Sequence, residues 1–207
     1  MTKKFGFPGL FVVYGFNNIV NKEFLYMKWF IMSDIHGSET WCKRALAAFE
    51  KEKCDRIIIL GDLLYHGPRN DLPDGYAPKK AIELLSEKKE LILSVRGNCE
   101  AEVDQMVLPF PVLADYAVID CGNRLIYLTH GHVYNKDNPL PVKKGSVVLS
   151  GHTHVPEKTE KDGVYYLNPG SVSIPKQGSA HSYMTFDGKT FAWKDMNGNE
   201  YDSLTLQ

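Results

Sequence analysis

The chain has 207 residues, of which 43% are hydrophobic and 24% charged, and its formal net charge is −1. This length and composition are typical of a soluble globular protein with one domain and a substantial core. A charge so close to zero gives no electrostatic case for binding nucleic acid or an anionic membrane through the whole surface.

The four cysteines are widely spaced along the chain and form no C-x-x-C pair: Cys42, Cys54, Cys99 and Cys121. This spacing argues against a disulfide framework and against a zinc ribbon. We therefore expect a reducing compartment, and we predict that the protein is cytoplasmic.

The first 26 residues differ in character from the rest of the chain. The apolar stretch at residues 5–16 is broken by Gly and Pro and falls short of the roughly 20 residues that span a bilayer. Lys3 and Lys4 precede it as in a signal peptide, but Asn17 and Asn18 stand where a small-residue cleavage site would be expected. We predict a non-catalytic extension over residues 1–26 and a single domain over residues 27–207.

The first half of that domain alternates short apolar runs with segments of helical spacing. Strands are predicted at residues 28–33, 56–60 and 90–95, helices at 38–51 and 77–88, and a long Gly- and Pro-rich loop at 65–78. Ser38 is the expected cap of the first helix. This order predicts a parallel sheet with right-handed crossovers.

The second half is richer in strands. A short helix at residues 101–107 precedes a predicted hairpin formed by residues 112–120 and 124–129. Further strands are predicted at residues 147–150, 164–167, 181–186 and 190–195. The two halves together predict an α/β fold, a sandwich of two mixed sheets flanked by helices.

Residues with metal-binding groups follow five of the predicted strands directly. In chain order they are Asp34, His36, Asp62, Asn98, His130, His152 and His154. The carboxyl ends of strands form the ligand crevice of open α/β sheets. Each residue alone is more often a cap or a turn former, but adjacent glycines such as Gly61 and Gly151 allow close approach, and the joint pattern indicates one site.

The number and type of these donors indicate the kind of site. Seven groups are too many for one tetrahedral ion, and with one shared carboxylate they divide into two sets of four. Nitrogen and oxygen donors suit Mn, Fe, Zn, Co or Ni better than Ca or Mg, and we expect Mn²⁺ first. Two ions about 3.5–4 Å apart can hold both an attacking hydroxide and the ester oxygens, so the pattern predicts a hydrolase.

The motifs carrying these donors are D-x-H at residues 34–36, G-D at 61–62, G-N-x-E at 97–100, T-H-G-H at 129–132 and G-H-T-H at 151–154. Over roughly residues 27–190 they resemble, in the same order, the calcineurin-like metallophosphoesterase family, and within it a branch of small bacterial and archaeal phosphodiesterases. The resemblance implies a four-layer αββα sandwich with a dinuclear centre. It also implies two ligand sets sharing Asp62: Asp34, His36, Asp62 and His154 for the first ion, and Asp62, Asn98, His130 and His152 for the second.

The implied activity is hydrolysis of a small phosphodiester or nucleotide by a hydroxide that bridges the two ions. Cys99 departs from the family pattern, because a histidine usually stands there and protonates the leaving oxygen. A thiol with a pKa near 8.5 is a weaker acid catalyst at pH 7 than imidazole, so we expect either good leaving groups or another acid. His66 and His132 are the candidates for that acid.

Other residues have an open role. Arg96 either adds a cation near the substrate or forms a salt bridge at the sheet edge. The loops at residues 65–76 and 135–144 are expected to shape specificity, and Asn168-Pro169-Gly170-Ser171 is expected to be a structural turn rather than a phosphate contact. Cys99 as a nucleophile is disfavoured, because no base accompanies it in the sequence.

Two further functions compete with the small-molecule phosphodiesterase. One is a non-catalytic scaffold on the same fold, which the filled ligand positions argue against. The other is a nuclease, which the near-neutral charge argues against. We expect no organic cofactor, no nucleic acid and no membrane partner, and the sequence leaves open whether the chain forms a homo-oligomer.

Overall fold

The computed structural model describes residues 10–13, 27–121 and 124–206. In chain order the elements are β1 (Leu10–Val13), β2 (Trp29–Met32), α1 (Glu39–Glu52), β3 (Arg56–Ile59), α2 (Pro78–Ser86), β4 (Ile92–Ser94), α3 (Glu102–Val107), β5 (Tyr116–Asp120), β6 (Leu125–Thr129), β7 (Val147–Leu149), β8 (Pro156–Lys161), β9 (Val164–Pro169), β10 (Ser182–Phe186), β11 (Thr190–Asp195) and β12 (Glu200–Thr205).

These strands form two six-stranded mixed sheets, which confirms the predicted fold class. The first sheet has the order β12-β11-β10-β2-β3-β4, and the second has the order β1-β5-β6-β7-β9-β8. β2, β3 and β4 are parallel to one another, as predicted, and β6, β7 and β9 are parallel in the other sheet. β5 and β6 pair antiparallel, as the predicted hairpin requires.

β2 shows why its sequence is apolar at every position. Trp29 and Ile31 belong to the cluster between the two sheets, whereas Phe30 and Met32 belong to the cluster beneath α1 and α2. Successive side chains of a strand point to opposite faces, so a strand covered on both faces needs no polar position. The core between the sheets and the core under the helices therefore hold the first sheet from both sides.

α1 begins where its cap was predicted. Ser38 Oγ accepts a hydrogen bond of 3.1 Å from the backbone N–H of Trp41. The helix ends at Lys53, whose left-handed φ of 52° turns its N–H back to Glu50 O. The segment between β2 and α1, which carries Asp34 and His36, thus runs directly into the capped start of the helix.

Three strands have no counterpart in the predictions. β8 and β12 are edge strands with mostly charged or polar side chains, so no apolar alternation marks them. β1 falls within the predicted extension and pairs parallel with β5 at the other edge of the second sheet. The rest of residues 1–26, on which the signal-peptide interpretation rests, lies outside the described residues, and so do residues 122–123 of the predicted hairpin.

Across the described ranges, no helix combines the length and apolar character that crossing a bilayer requires.

Candidate metal centre

Most of the predicted donors meet where strands of both sheets end. Three groups of ligand-type atoms lie within 4.8 Å of one another: Asp34 with His36 and His154, Asp34 with Asp62 and His130, and His36 with Asp62 and Cys99. All of these side chains except Cys99 are buried. The prediction placed the donors at one sheet edge, whereas the structure brings together the carboxyl ends of β2 and β3 from one sheet and of β6 and β7 from the other.

The backbone at this place is strained. Five of the predicted donors adopt a positive φ: Asp34 (57°), His36 (48°), Asp62 (55°), His152 (68°) and His154 (61°). A non-glycine residue in this region costs on the order of 1–3 kcal/mol. Only three other non-glycine residues of the described chain share this conformation. Such strain gathered at one point is typical of a functional site.

Three of the histidines are oriented by backbone carbonyls. The Nδ1 atoms of His36, His130 and His154 lie 2.7, 2.6 and 2.6 Å from the carbonyl oxygens of Tyr65, Leu60 and Ile174 respectively. A carbonyl only accepts, so each Nδ1 must carry the hydrogen and donate it. In a neutral ring the lone pair is then on Nε2, directed into the site. This is the arrangement that metal-binding histidines adopt.

In the first group, the atoms that could bind a metal are all hydrogen-bond acceptors, and they face one another. His36 Nε2 lies 3.2 Å from His154 Nε2, and the latter is 3.3 Å from Asp34 Oδ1. Asp34 Oδ1 is buried and has no hydrogen-bond partner. Nitrogens bound at about 2.0–2.1 Å to one tetrahedral ion lie roughly 3.3 Å apart, close to the spacing observed. The residues therefore fit a cation, and burial lowers the pKa of His36, which favours the neutral ring that a ligand needs.

The second group surrounds Asp62 Oδ2. His130 Nε2 lies 3.4 Å from this oxygen and 3.2 Å from Asn98 Oδ1. Burial alone would lower the pKa of His130, but its hydrogen bond with Asp62 and the charge of Asp34 outweigh burial and raise the pKa to about 9. In the absence of a competing cation the ring is therefore protonated, and a metal ion would have to displace that proton.

Both carboxylates of the site stay ionised. Burial opposes their charge, but the neighbouring histidines outweigh it and lower the pKa of Asp34 and of Asp62. Among the groups that lower the pKa, His154 acts most strongly on Asp34 and His130 on Asp62. Two ionised carboxylates and several imidazoles suit a divalent transition metal.

Glu100 holds the second and third strand-end loops together, a role that sequence reasoning missed. Its buried carboxylate accepts hydrogen bonds from the backbone N–H groups of Asp62 (2.9 Å), Leu63 (2.7 Å) and Gly97 (2.5 Å). Burial and the charge of Asp62 raise its pKa to about 7, although the three donors favour the charged form. The motif G-N-x-E contains Glu100, but its partners are visible only in the fold.

The turn after β9 holds the Asp34 loop. The hydroxyls of Ser171 and Ser173 donate to Asp34 O at 2.9 and 3.0 Å, and Asn168 Nδ2 donates to Gly151 O at 2.6 Å. All three side chains are buried. These contacts fit the structural role predicted for residues 168–171, although Asn168 and Pro169 are the last residues of β9 and not part of a turn.

Close approach of backbones requires glycine at two positions. A Cβ atom on Gly97 would overlap Asp62 Oδ1, and one on Gly151 would overlap Ser33 Oγ. Any side chain there would push the carboxylates of the site apart. Gly97 and Gly151 are therefore packing requirements of the centre.

His152 lies beside the compact donor groups, and Cys99 is the only half-buried member of one of them. The His152 ring is 5.1 Å from the ring of His130, and its backbone N–H donates to Asp34 Oδ2 at 3.1 Å. Burial, and then the charge of His130, lower the pKa of His152 to about 4. Cys99 donates its N–H to Asp62 Oδ1 at 2.9 Å, and burial and the charge of Asp62 raise the pKa of its thiol. These surroundings favour the neutral thiol over a nucleophilic thiolate.

The other predicted residues stand farther from the donors. The backbone N–H of Arg96 donates to Ala114 O, and its charge acts on the exposed His132. The His132 ring is 5.4 Å from that of His130. His66 packs edge-on against Tyr76, and its Nδ1 has no hydrogen-bond partner.

A pocket opens over the donors. The residues that line it are Asp62, Gly67, Pro68, Arg69, Asn70, Asn98, Cys99, His152, His154 and Lys176. The loop at residues 65–76 thus contributes to the pocket as expected, whereas Arg96 and residues 135–144 are not among the described lining residues. Arg69 and Lys176 were not predicted, because loop residues far apart in sequence carry no pattern that indicates their meeting.

Comparison with known proteins is consistent with this geometry. Residues 27–190 match the model of the calcineurin-like phosphoesterase superfamily domain. Phosphodiesterase YfcE of Escherichia coli (strain K12) is 44% identical over 161 residues, which are 78% of this chain and 88% of that protein.

Solved structures agree as well. A structure of YfcE, described as a phosphoesterase from E. coli, has a TM-score of 0.85 at 38% identity and covers 87% of this chain and 100% of its own. Vps29 of Chaetomium thermophilum has a TM-score of 0.54 at 18% identity, with 87% of this chain and 100% of that chain covered. The likeness to Vps29 concerns the fold alone.

Proposed function

The chain belongs to the calcineurin-like phosphoesterase superfamily and is a metal-dependent phosphoric diester hydrolase, and from this premise we propose that it hydrolyses a phosphodiester of a small molecule or nucleotide with two divalent transition-metal ions. The proposal rests on one observation: hydrogen-bond acceptor atoms converge at this place without a hydrogen-bond donor between them. Two histidine nitrogens and a buried carboxylate oxygen form one such group around His36 and His154, and Asp62 links it to a second group at His130.

The proposed ligand sets follow that division. Asp34, His36, Asp62 and His154 hold the first ion, and Asp62, Asn98, His130 and His152 hold the second. Asp62 is the shared ligand, which is supported by the 3.7 Å from its Oδ2 to His36 Nε2 and the 3.4 Å to His130 Nε2. We propose Mn²⁺ as the first choice, with Ni²⁺, Co²⁺, Fe²⁺ and Zn²⁺ as alternatives.

The chemistry divides between ions and protein. When bound, two divalent ions supply an activated water near pH 7 and positive charge for the phosphate oxygens. The protein keeps Asp34 and Asp62 ionised and His36 neutral, which prepares the site for cations. Backbone carbonyls fix the three rings, so the ligand atoms need little rearrangement.

We propose that Cys99 faces the leaving oxygen of the bound substrate. It lines the pocket, and its surroundings keep the thiol neutral. A thiol whose pKa is raised gives up its proton reluctantly, so the proposed substrates are diesters whose leaving group departs without full protonation. The His66 ring packs against Tyr76, and His132 is exposed. Neither histidine is among the described residues that line the pocket.

The decisive experiment is a hydrolysis panel of phosphomonoesters and phosphodiesters, each assayed with Mn²⁺, Ni²⁺, Co²⁺, Zn²⁺ and Mg²⁺ after chelation. We expect diesters with good leaving groups to be hydrolysed with a transition metal and phosphomonoesters to be poor substrates. Activity confined to monoesters would overturn the proposal.

A scaffold function on the same fold is the competing candidate. Its support is the fold-level likeness to Vps29. Hydrolysis measured together with metal content separates the two. The proposed enzyme binds two equivalents of metal per chain and loses hydrolysis on chelation, whereas a scaffold hydrolyses no diester whether or not it takes up metal.

A further inference from the structure

Two cations share the wall of the pocket above the candidate metal centre. Arg69 and Lys176 line the same cavity as Asp62, Cys99 and His154. Both side chains are exposed, and neither forms an ion pair within the part of the chain that the structure describes. A cation without a carboxylate partner at the mouth of a pocket is available to a ligand.

Both cations stand on backbone that is tied to the candidate ligands. Arg69 belongs to the loop whose Tyr65 carbonyl accepts from His36 Nδ1 at 2.7 Å. Farther along this loop, Asn70 Nδ2 donates to His66 O at 2.8 Å and closes the turn that carries Arg69.

Lys176 is tied on the other side of the pocket. Its backbone N–H donates to His154 O at 3.2 Å, and its carbonyl accepts from both the N–H and the hydroxyl of Ser179, at 3.0 and 2.7 Å. The two cations therefore stand on the same loop segments whose Tyr65 and Ile174 carbonyls orient the rings of His36 and His154. Such anchoring reduces the ordering needed when a ligand binds.

A simple diester does not need these two cations, because the charges of the proposed metal centre and its substrate balance without them. On the proposed function, two divalent ions are balanced by the carboxylates of Asp34 and Asp62, the single charge of a diester and a hydroxide nucleophile. Asp62 is the sole carboxylate among the described lining residues. Arg69 and Lys176 are therefore left without a counter-charge, and a phosphate monoester group, which carries up to two negative charges at pH 7, matches them.

We propose that Arg69 and Lys176 bind a second phosphate group of the substrate, so that the natural substrate is a phosphodiester that also carries a terminal phosphate. This inference rests on the proposed function and narrows its substrate class. The guanidinium fork of Arg69 takes two phosphate oxygens, and Lys176 contributes a point charge. A diester without the second phosphate would leave both cations unused.

The test compares two substrates with the same scissile bond. Thymidine 5′-(p-nitrophenyl phosphate) is assayed with and without a 3′-phosphate, on the Mn²⁺-loaded wild type and on the Arg69→Gln, Lys176→Gln and double variants. Lys89→Gln is the matched control, because Lys89 is an exposed cation before β4, at the end of that strand away from the site. Calorimetric titration with thymidine 3′,5′-bisphosphate and thymidine 5′-monophosphate gives a readout independent of turnover.

We expect the wild type to prefer the 3′-phosphorylated diester at least about tenfold in kcat/KM, the gain expected of one or two charge-assisted contacts. The pocket variants should lose the preference through KM, and Lys89→Gln should keep it. Equal kcat/KM for the two diesters in the wild type, or a preference that survives in the double variant, would overturn the inference. If neither diester is hydrolysed with any metal, the proposed function fails, and the bisphosphate titration still decides the role of the cations.

Discussion

The Nε2 atoms of His36 and His154 face each other at 3.2 Å although the residues are 118 positions apart in the chain. Each ring donates its Nδ1 hydrogen to a backbone carbonyl, so in the neutral rings both facing nitrogens carry lone pairs. Two lone pairs at this separation repel unless a proton or a metal ion lies between or beside them. The two residues follow strands of different sheets. Measuring metal binding is therefore the most direct test of substitutions at this site.

Replacing either histidine of the G-H-T-H motif should empty mainly one metal site. We expect His154→Ala to retain about one ion per chain, as His152→Ala should, and each to lose hydrolysis by at least about a hundredfold, because the reaction needs both ions. Elemental analysis after dialysis measures the metal, and the same samples are assayed. His181→Ala is the control, since His181 stacks on Trp41 away from the donor groups. Two ions retained in His154→Ala would contradict the assignment.

Cys99→His should change how the rate depends on the leaving group. An imidazole at this place is a better proton donor near pH 7 than a thiol with a raised pKa. We expect diesters with poor leaving groups to gain about tenfold or more, and p-nitrophenyl esters to change little. A series of aryl diesters gives the slope of log kcat/KM against leaving-group pKa, which should become shallower. An unchanged slope would remove Cys99 from proton transfer, and Cys99→Ser controls for loss of the thiol.

The fold and the donors were predictable because each is encoded locally. An apolar run followed by Asp, Asn or His marks a strand end, and five such ends placed Asp34, Asp62 and His130 in one crevice. Glu100, Ser171 and Arg69 were not predictable in their roles, because each acts on a residue distant in sequence that only the packing of loops brings near. The edge strands β8 and β12 were missed for a different reason: a strand exposed at an edge needs no apolar periodicity.

Glu100→Ala should lower the free energy of unfolding more than substitution of an exposed neighbouring glutamate does. Its removal leaves three buried backbone N–H groups of Asp62, Leu63 and Gly97 without an acceptor, and each costs about 1–3 kcal/mol. We expect the free energy of unfolding to fall by at least about 3 kcal/mol, and the affinity for both ions to fall because Asp62 is their proposed shared ligand. Urea denaturation in the presence of chelator measures the first effect. Glu102→Ala, at an exposed site on α3, should cost less than about 0.5 kcal/mol, and a similar small cost for Glu100→Ala would contradict the bracing role.

The ion network at Glu52 should make stability depend on pH. Burial opposes ionisation of Glu52, but hydrogen bonds from Lys28 (2.8 Å), Lys194 (2.9 Å) and Tyr183 (3.0 Å) outweigh it and lower the pKa to about 2. A lowered folded-state pKa means that the contribution is complete above the ordinary glutamate pKa near 4.5 and is lost as the pH falls toward 2. Because solvent screens part of this interaction, we expect about 1–2 kcal/mol rather than the full value of the shift.

Comparison of the wild type with Glu52→Gln tests that pH window. At pH 7 the variant should be less stable by this amount in urea denaturation with chelator. The difference should at least halve between pH 5 and pH 3, because the glutamate of the unfolded chain is then mostly protonated and folding has to ionise it. Glu83→Gln is the control, since its pair with Lys80 is exposed on both sides and should change stability by less than about 0.5 kcal/mol at either pH. A difference for Glu52→Gln that stays constant from pH 7 to pH 3 would mean that the hydrogen bonds act through geometry and not through the charge of Glu52.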